Sequence, residues 1–311
     1  MMKRLKHSMT NKKLQIHTYK LPLLFLLPAG LIFAFCVIYP MMQTGYISFF
    51  EWNGITSQTT MKFVGLENFI EVLKNKFFWT SLKNNLYILI VGGICAIGSA
   101  LFFSTVLHKG IRGAKFFRVV YFFPNIMAGV SVGIIWMFIY SPVIGILNNL
   151  LDKIGLQSIT HSWLAEPIFM VPAITVPIIW QATGFFLVIL LGGLQNLPTE
   201  VFDAAKIDGA NAFQEFKFVT FPMLRPIITI LSVYWFISSM RIFELNWVML
   251  KYAGSKSMVT EQDVLATTMY IEAFQQYRLG YASAFAVMIF FIIIIGSGIF
   301  YLFRRKGDIK N

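Results

Sequence analysis

The sequence predicts an all-α protein that crosses a membrane six times, and three observations carry that prediction. Of 311 residues, 57% are hydrophobic and 13% charged, where a soluble domain carries about 25% charged residues. The apolar residues gather into six runs centred near Phe33, Val91, Ile134, Trp180, Tyr234 and Phe291, each close to the ~20 residues that cross hydrocarbon. The charges between the runs are sorted by side. Residues 1–20, 108–118, the link after the fourth run and the C-terminal tail hold 17 Lys+Arg against 5 Asp+Glu, the other side holds 8 against 9, and Arg241 falls inside a run. Positive residues mark the cytoplasmic side, so both ends are expected there. This placement accounts for the net charge of +12 with the lipid bilayer as partner and no nucleic acid.

Residues 1–20 read as a cytoplasmic segment, followed by a first span from about Pro22 to Ile47. Its apolar stretch, Leu21 to Tyr39, is longer than a signal-peptide core and has no small-residue cleavage site, so it reads as retained. The rest of a 21–80 unit is an outer amphipathic segment. There Phe69, Val72 and Leu73 recur at helical spacing, and Phe77, Phe78 and Trp79 suit the headgroup layer. Five further spans make a core over 81–303. The second, about Asn85 to Leu107, carries Gly92, Gly93 and Gly98 for close packing. The third runs from about Val119 to Tyr140, the fourth from about Ile168 to Leu194, the fifth from about Met223 to Leu245 and the sixth from about Ala282 to Phe303. Residues 304–311 form a cytoplasmic tail. Pro124, Pro172 and Pro177 lie in or at the ends of spans, where proline either kinks a helix or borders a cavity. Cys36 and Cys95 sit in apolar runs and read as small buried hydrophobes, with no disulfide or metal set implied.

The link over residues 198–222 is more compact and charged than a turn requires. Pro198 ends the fourth span, and Thr199 offers an N-cap hydroxyl. Glu200 and Asp203 place carboxylates in the first turn of a short helix, where the helix dipole favours them. Val201, Phe202, Ala204, Ala205 and Ile207 give that helix an apolar surface. Gly209 ends it, because glycine takes the left-handed conformation without steric cost. A second short helix then carries Phe213 and Phe216 on one face, and Pro222 restarts the chain toward the membrane. Two short helices meeting at a glycine make a rigid elbow. The same residues also suit a cap lying on the protein's own surface.

This stretch, DAAKIDGANAFQEFKFVTFP, resembles the signature loop of ABC-importer permeases: Glu-Ala-Ala, three residues, Gly, nine residues, then Ile-x-Leu-Pro. Here Asp203, Ala204 and Ala205 precede Gly209 at that spacing, and Val219, Phe221 and Pro222 follow. Asp203, Val219 and Phe221 replace the family's Glu, Ile and Leu conservatively. FVGLENF at 63–69, the following FFW and LGYASAFAV at 279–287 resemble the carbohydrate branch, the maltose-type and multiple-sugar permeases. KYAGSKS at 251–257 departs from the Gly-Gly-Pro turn of many relatives. The resemblance implies a type I ABC importer permease fold whose elbow is a coupling helix seated in a cytoplasmic ATPase. The docking residues it implies are Glu200, Asp203, Ala204, Ala205, Asp208, Gly209, Phe213, Phe216 and Pro222. It further implies a second homologous permease subunit, two ATPase subunits, an extracytoplasmic sugar-binding protein and a location in the bacterial plasma membrane. No cofactor is expected on this chain; ATP-Mg belongs to the ATPases.

Sugars are held by hydrogen-bonding groups and aromatic faces, and polar side chains inside spans face a bundle interior. The candidates are Asn125, Trp180, Gln181, Phe185, Trp235, Ser238 and Ser239, which equally suit packing between helices. Arg241 and Glu244, spaced i, i+3, suit a structural pair. A polyol or glycerol-phosphate importer stays open, although a phosphate ester wants cations and Arg241 is the one available. An ion-coupled transporter is the weaker alternative, because it needs intramembrane carboxylates or broken helices around an ion site, and only Arg241 and Glu244 qualify. An intramembrane enzyme lacks its catalytic set, since His7, His17, His108 and His161 all lie outside the spans. GSKS at 254–257 lacks the upstream glycine of a phosphate loop.

Overall fold

In the computed structural model, which describes residues 24–252 and 258–308, the apolar runs become helices. The order is α1 (Leu24–Ile47), a short hairpin of β1 (Phe50–Glu51) and β2 (Lys62–Phe63), α2 (Glu67–Lys74), α3 (Lys76–His108), α4 (Ala114–Ile126), α5 (Gly129–Tyr140), α6 (Ile146–Lys153), α7 (Pro167–Gln195), α8 (Thr199–Ile207), α9 (Ala212–Met240), α10 (Glu244–Tyr252), α11 (Leu265–Phe274) and α12 (Leu279–Asp308). The hairpin is antiparallel, with Phe50 opposite Phe63 and Glu51 opposite Lys62. Five helices, α1, α3, α7, α9 and α12, are long and apolar enough to cross a membrane, and six spans result if the bent pair α4–α5 counts as one. The basic segment 1–20, most of KYAGSKS and residues 309–311 lie outside the described residues.

That bent pair corrects the straight third span. α4 and α5 meet at 102°. Pro124 lies two residues from the end of α4, where it removes a backbone donor, and Met127 and Ala128 are extended, with ψ of 141° and 139°. The fifth span ends earlier than expected: α9 stops at Met240 and α10 starts at Glu244. Arg241 and Glu244 do not pair; no hydrogen bond or ion pair within 4 Å joins them.

Packing centres on α7. Its buried residues Ile174, Phe186, Leu187 and Leu190 meet Ile88, Ala96 and Ala100 of α3 in one apolar cluster. A second cluster joins Val72 of α2, Phe78 of α3, Leu265 of α11 and Phe285 of α12. α9 stitches the two together, giving Trp235 to the first and Phe236 to the second. Asn85, fully buried, braces the junction: its Nδ2 donates to Ser239 O at 2.7 Å and its Oδ1 accepts from Leu265 N at 2.8 Å. Truncating it orphans two buried backbone groups, each worth about 1–3 kcal/mol.

Glycines set the closest approaches. A Cβ on Gly184 of α7 would collide with the Tyr121 carbonyl of α4, so only glycine lets α4 lie this close. Gly92 and Gly93 receive the Trp235 indole, whose atoms lie 2.8 Å and 2.7 Å from where their Cβ atoms would be. Gly98, expected to do the same, has nothing within 4 Å. Phe78, expected among headgroups, is 1% exposed and packs edge-on to Phe285. Cys36 and Cys95 are exposed, not buried; each lies on a helix face turned away from the bundle.

Beside the amphipathic α2, Arg278 binds Glu71 and lies 3.5 Å from Glu272 of α11. Its guanidinium covers the Tyr281 ring at 4.3 Å. Burial pushes the Glu272 carboxyl above the usual carboxylate range, and Arg278 pulls it partly back. A raised folded-state value means that this group supports folding most at low pH and loses that support as pH rises through it. Arg278→Ala strands the carboxylate. It should cost about 2 kcal/mol at pH 7, below the 3–5 of a fully buried pair, since Arg278 is 41% exposed. The loss should shrink as pH falls and Glu272 takes a proton; thermal unfolding in detergent over a descending pH series checks it, and a loss that does not shrink contradicts it. Gly184→Val should be harsher, about 3 kcal/mol or more from forced separation of two backbones, read as loss of folded protein on extraction.

Candidate functional site

The half-helix break beside α7 gathers most of the polar residues singled out in the sequence. A helix end leaves carbonyls without intrahelical partners, and hydrocarbon supplies none. Gln181 supplies them: its Nε2 donates to Pro124 O at 3.1 Å and Met127 O at 3.3 Å. It stands at the midpoint of Pro167–Gln195, so the break lies level with the middle of α7. Its Oε1 accepts no hydrogen bond among the described residues. Asn125 is exposed next to Pro124. Trp180 is 37% exposed, with its ring 6.0 Å from Trp136. One turn beyond Gln181, the Phe185 ring lies tilted against Tyr234 of α9 at 5.1 Å, and Ser238 follows Tyr234 by a turn, half-buried.

Two candidates lie elsewhere. Trp235 is 4% exposed, and its Nε1 donates to Leu89 O at 2.9 Å. Ser239 is fully buried, and its Oγ donates to Phe236 O at 2.9 Å. Both face α3, with their polar atoms already satisfied, so in this conformation they are packing residues. Tyr234, 49% exposed, was missed; its signal was a phenol one turn before Ser238. Glu244 was placed in a pair with Arg241 but lies instead against α5: a Cβ on Gly129 would be 2.5 Å from its Oε2.

The elbow sits at one end of the molecule. α8 closes with a double hydrogen bond, Ala210 N to Ala205 O at 2.9 Å and Gly209 N to Lys206 O at 3.0 Å. Gly209 holds φ at +76°, the left-handed C-terminal geometry that a side chain resists. Asn211 then opens the next helix with a capping box: its Oδ1 accepts from Phe213 N and Gln214 N, and Gln214 Oε1 accepts from Asn211 N at 2.8 Å. Two locally fixed ends make the bend rigid. Thr199 is not the cap; Pro198 holds that position, and no side chain bonds the free N–H groups. Asp203 pairs with Lys206 at 3.1 Å, Glu200 lies in the first turn, and Asp208 is the C-cap. Ala204 is exposed and Ala205 buried. The ring of Phe202 lies 6.1 Å from His108 and ties α8 to the end of α3.

The second short helix is not separate. Residues 212–240 form one unbroken helix, and Pro222 lies inside it. A wide π turn over Phe216–Thr220 comes just before that proline, and its looser bonding lets the helix absorb a residue with no N–H. Phe213 is 71% exposed and Ile207 86% exposed, whereas Phe216 is half-buried, 6.3 Å from Phe221. Phe218, not among the residues expected at the elbow, is also exposed, at 66%, with the Lys217 ammonium 5.2 Å from its ring centre. Among the described residues no group of His, Cys, Asp or Glu could hold a metal ion.

A solved chain from a bacterial ABC transporter that imports the acidic polysaccharide alginate superposes with a TM-score of 0.80 at 20% identity, covering 94% of this chain and 97% of that one; the likeness is one of fold. A probable ABC transporter permease of Pyrococcus horikoshii is 30% identical over 288 residues, 92% of this chain and 96% of its own. The trehalose/maltose transport permease of Thermococcus litoralis is 29% identical, covering 94% and 97%. Residues 88–307 match the model of the binding-protein-dependent transport system inner membrane component, a family of transporters and not enzymes. The chain is a multi-pass membrane protein that belongs to this family.

Proposed function

We propose that this chain is one of two membrane halves of an ATP-driven importer of sugars, of disaccharide or oligosaccharide size. Its partners are a second related permease, two cytoplasmic ATPase subunits that bind ATP-Mg, and an extracytoplasmic sugar-binding protein. The observation that carries the reading is the continuity of α9. The exposed Phe213 at the elbow and the exposed Tyr234 beside the mid-span break belong to one 29-residue helix, a rod about 43 Å long at 1.5 Å per residue. Movement imposed at the elbow by a closing ATPase pair reaches the path without passing through a flexible joint. The trehalose/maltose relative supports a sugar as cargo, and the charge asymmetry supports a cytoplasmic elbow and cytoplasmic ends.

At the path, Asn125, the Gln181 Oε1 and Ser238 offer hydrogen bonds, while Trp180, Phe185 and Tyr234 offer ring faces, the mixture that sugars require. Phe213, Phe218 and Ile207 form the apolar docking face, and Gly209 fixes its angle. A polyol or glycerol-phosphate cargo is the second reading, favoured only by Arg241, which lies exposed at the end of α9.

Phe213→Asp should remove apolar contact area and charge the docking face. Affinity purification of the variant should recover less than about a tenth of the ATPase recovered with the parent, given what a central aromatic anchor contributes. Undiminished recovery contradicts the docking role. Gly209→Val forces a branched side chain into the left-handed region at about 1–2 kcal/mol, a local cost. In vesicles holding the complete complex, ATP-dependent uptake should fall several-fold while binding-protein docking persists. Uptake that survives ATP depletion in the parent rules out the ATP-driven reading altogether.

A further inference from the structure

The link between α3 and α4 carries an arrangement of charge that the transport reading does not use. The stretch 86–107 of α3 holds no charged residue and has the length that crosses hydrocarbon, so the link that follows stands at a headgroup layer. It is on the elbow's side, since the His108 ring lies 6.1 Å from Phe202 of α8. Lys109, Arg112, Lys115 and Arg118 lie here, and no Asp or Glu occurs between Glu71 and Asp152. None of the four makes an ion pair or a side-chain hydrogen bond among the described residues. Lys109 caps the end of α3, where a cation suits the helix dipole. Lys115 and Arg118 do the opposite. They load the first turns of α4, the positive end of its dipole, which has no carboxylate and no side-chain cap. Sorting positive charge to one side of the membrane is achieved by cations anywhere in the link; it gives no reason to place two at the end that repels them. An anion seated there removes the conflict.

Arg118 supplies a second, independent observation. It is half-buried while Arg112 and Lys115 are exposed, and its Nε is buried without a hydrogen-bond partner, a donor that folded proteins rarely leave unused. Arg118 and Tyr121, spaced i, i+3, share a flank of α4. Tyr121 meets Phe103 of α3 at 4.5 Å, so this flank faces α3, and Lys115 lies one turn nearer the link. The rest of α4 is apolar and open: Phe116, Val119 and Phe123 are 68%, 67% and 58% exposed. We infer that this corner binds the phosphate of an anionic phospholipid. Arg118 supplies the fork, Lys115 and Arg112 the neighbouring charge, and Phe116, Val119 and Phe123 the surface for its acyl chains. A soluble anion satisfies the cations but leaves that apolar surface bare; an amphiphile covers both. The site depends on neither the cargo nor the ATPase.

The test titrates the purified full chain in uncharged detergent with dioctanoyl phosphatidylglycerol and, separately, dioctanoyl phosphatidylcholine, reading bound lipid by native mass spectrometry. The parent should prefer the anionic lipid. Lys115→Gln combined with Arg118→Gln should weaken phosphatidylglycerol binding about thirtyfold, given what each basic side chain contributes beside an anionic membrane surface. Lys115→Gln alone, at an exposed position, should weaken it about fivefold and so reads the site even if the double variant does not fold. Phosphatidylcholine binding should not follow these losses. Arg118→Lys keeps the charge but loses the fork, and should fall between parent and double variant. Lys62→Gln with Lys153→Gln removes the same charge at exposed positions elsewhere and should leave the parent's preference intact; an equal loss there overturns a defined site. Equal binding of both lipids by the parent, or phosphatidylglycerol binding unchanged in the single and double variants, also overturns it. Inorganic phosphate that displaces the lipid at matched concentration marks a soluble-anion site. Loss of co-purified ATPase with lipid binding intact marks a protein-docking surface. Either of these last results overturns the lipid assignment.

Discussion

A helix that stops inside a membrane leaves carbonyls that hydrocarbon cannot satisfy, and in this protein one side-chain amide takes two of them. Gln181 donates to the Pro124 and Met127 carbonyls, and the rest of the site depends on that repair. Without it the break between α4 and α5 would expose unpaired backbone at a cost of several kcal/mol. With it, the third span turns through 102°, α5 packs on α10, and its N-terminus comes to rest beside Glu244. Gly184 serves the same end from the α7 side, since a side chain there would hold α4 away and put its carbonyls beyond reach of Gln181.

The second organising element is α9, which belongs to every part of the molecule that the transport reading uses. Its first turns are the elbow's outer arm, its middle carries Tyr234 and Ser238, and its buried face joins both apolar clusters through Trp235 and Phe236. A displacement at one end therefore has a stiff path into both clusters, because closely packed interiors transmit strain. The π turn before Pro222 fits this role: it keeps the rod continuous across a residue that would otherwise break it.

Much of the fold was legible in the chain because its signals are local. Apolar runs of membrane length gave the spans, and the Pro198-to-Gly209 punctuation gave α8 within a residue or two at either end. The bend at Met127–Ala128 was not legible, since hydropathy sums composition over a window and is blind to direction. Nor was the fate of Trp235 and Ser239. Helical spacing tells which residues share a face, but it does not tell which neighbour that face meets. Arg241 and Glu244 failed as a pair for a related reason: i, i+3 spacing applies within one helix, and α9 ends at Met240 before the spacing can act.

The sequence by itself determined that this is a six-run membrane chain with a stiff, left-handed-glycine elbow and a signature-loop spacing, because length, charge asymmetry and turn chemistry act over a few neighbouring residues. Only the tertiary structure decided what the polar residues of the spans do. Gln181 serves the backbone with one end, Ser239 and Trp235 serve packing, and Glu244 lies against the first residue of α5. Inside a bilayer a polar group's role is set by which backbone ends and which cavity lie within 3 Å of it. Those distances come from how separate spans cross, which no stretch of neighbouring residues encodes.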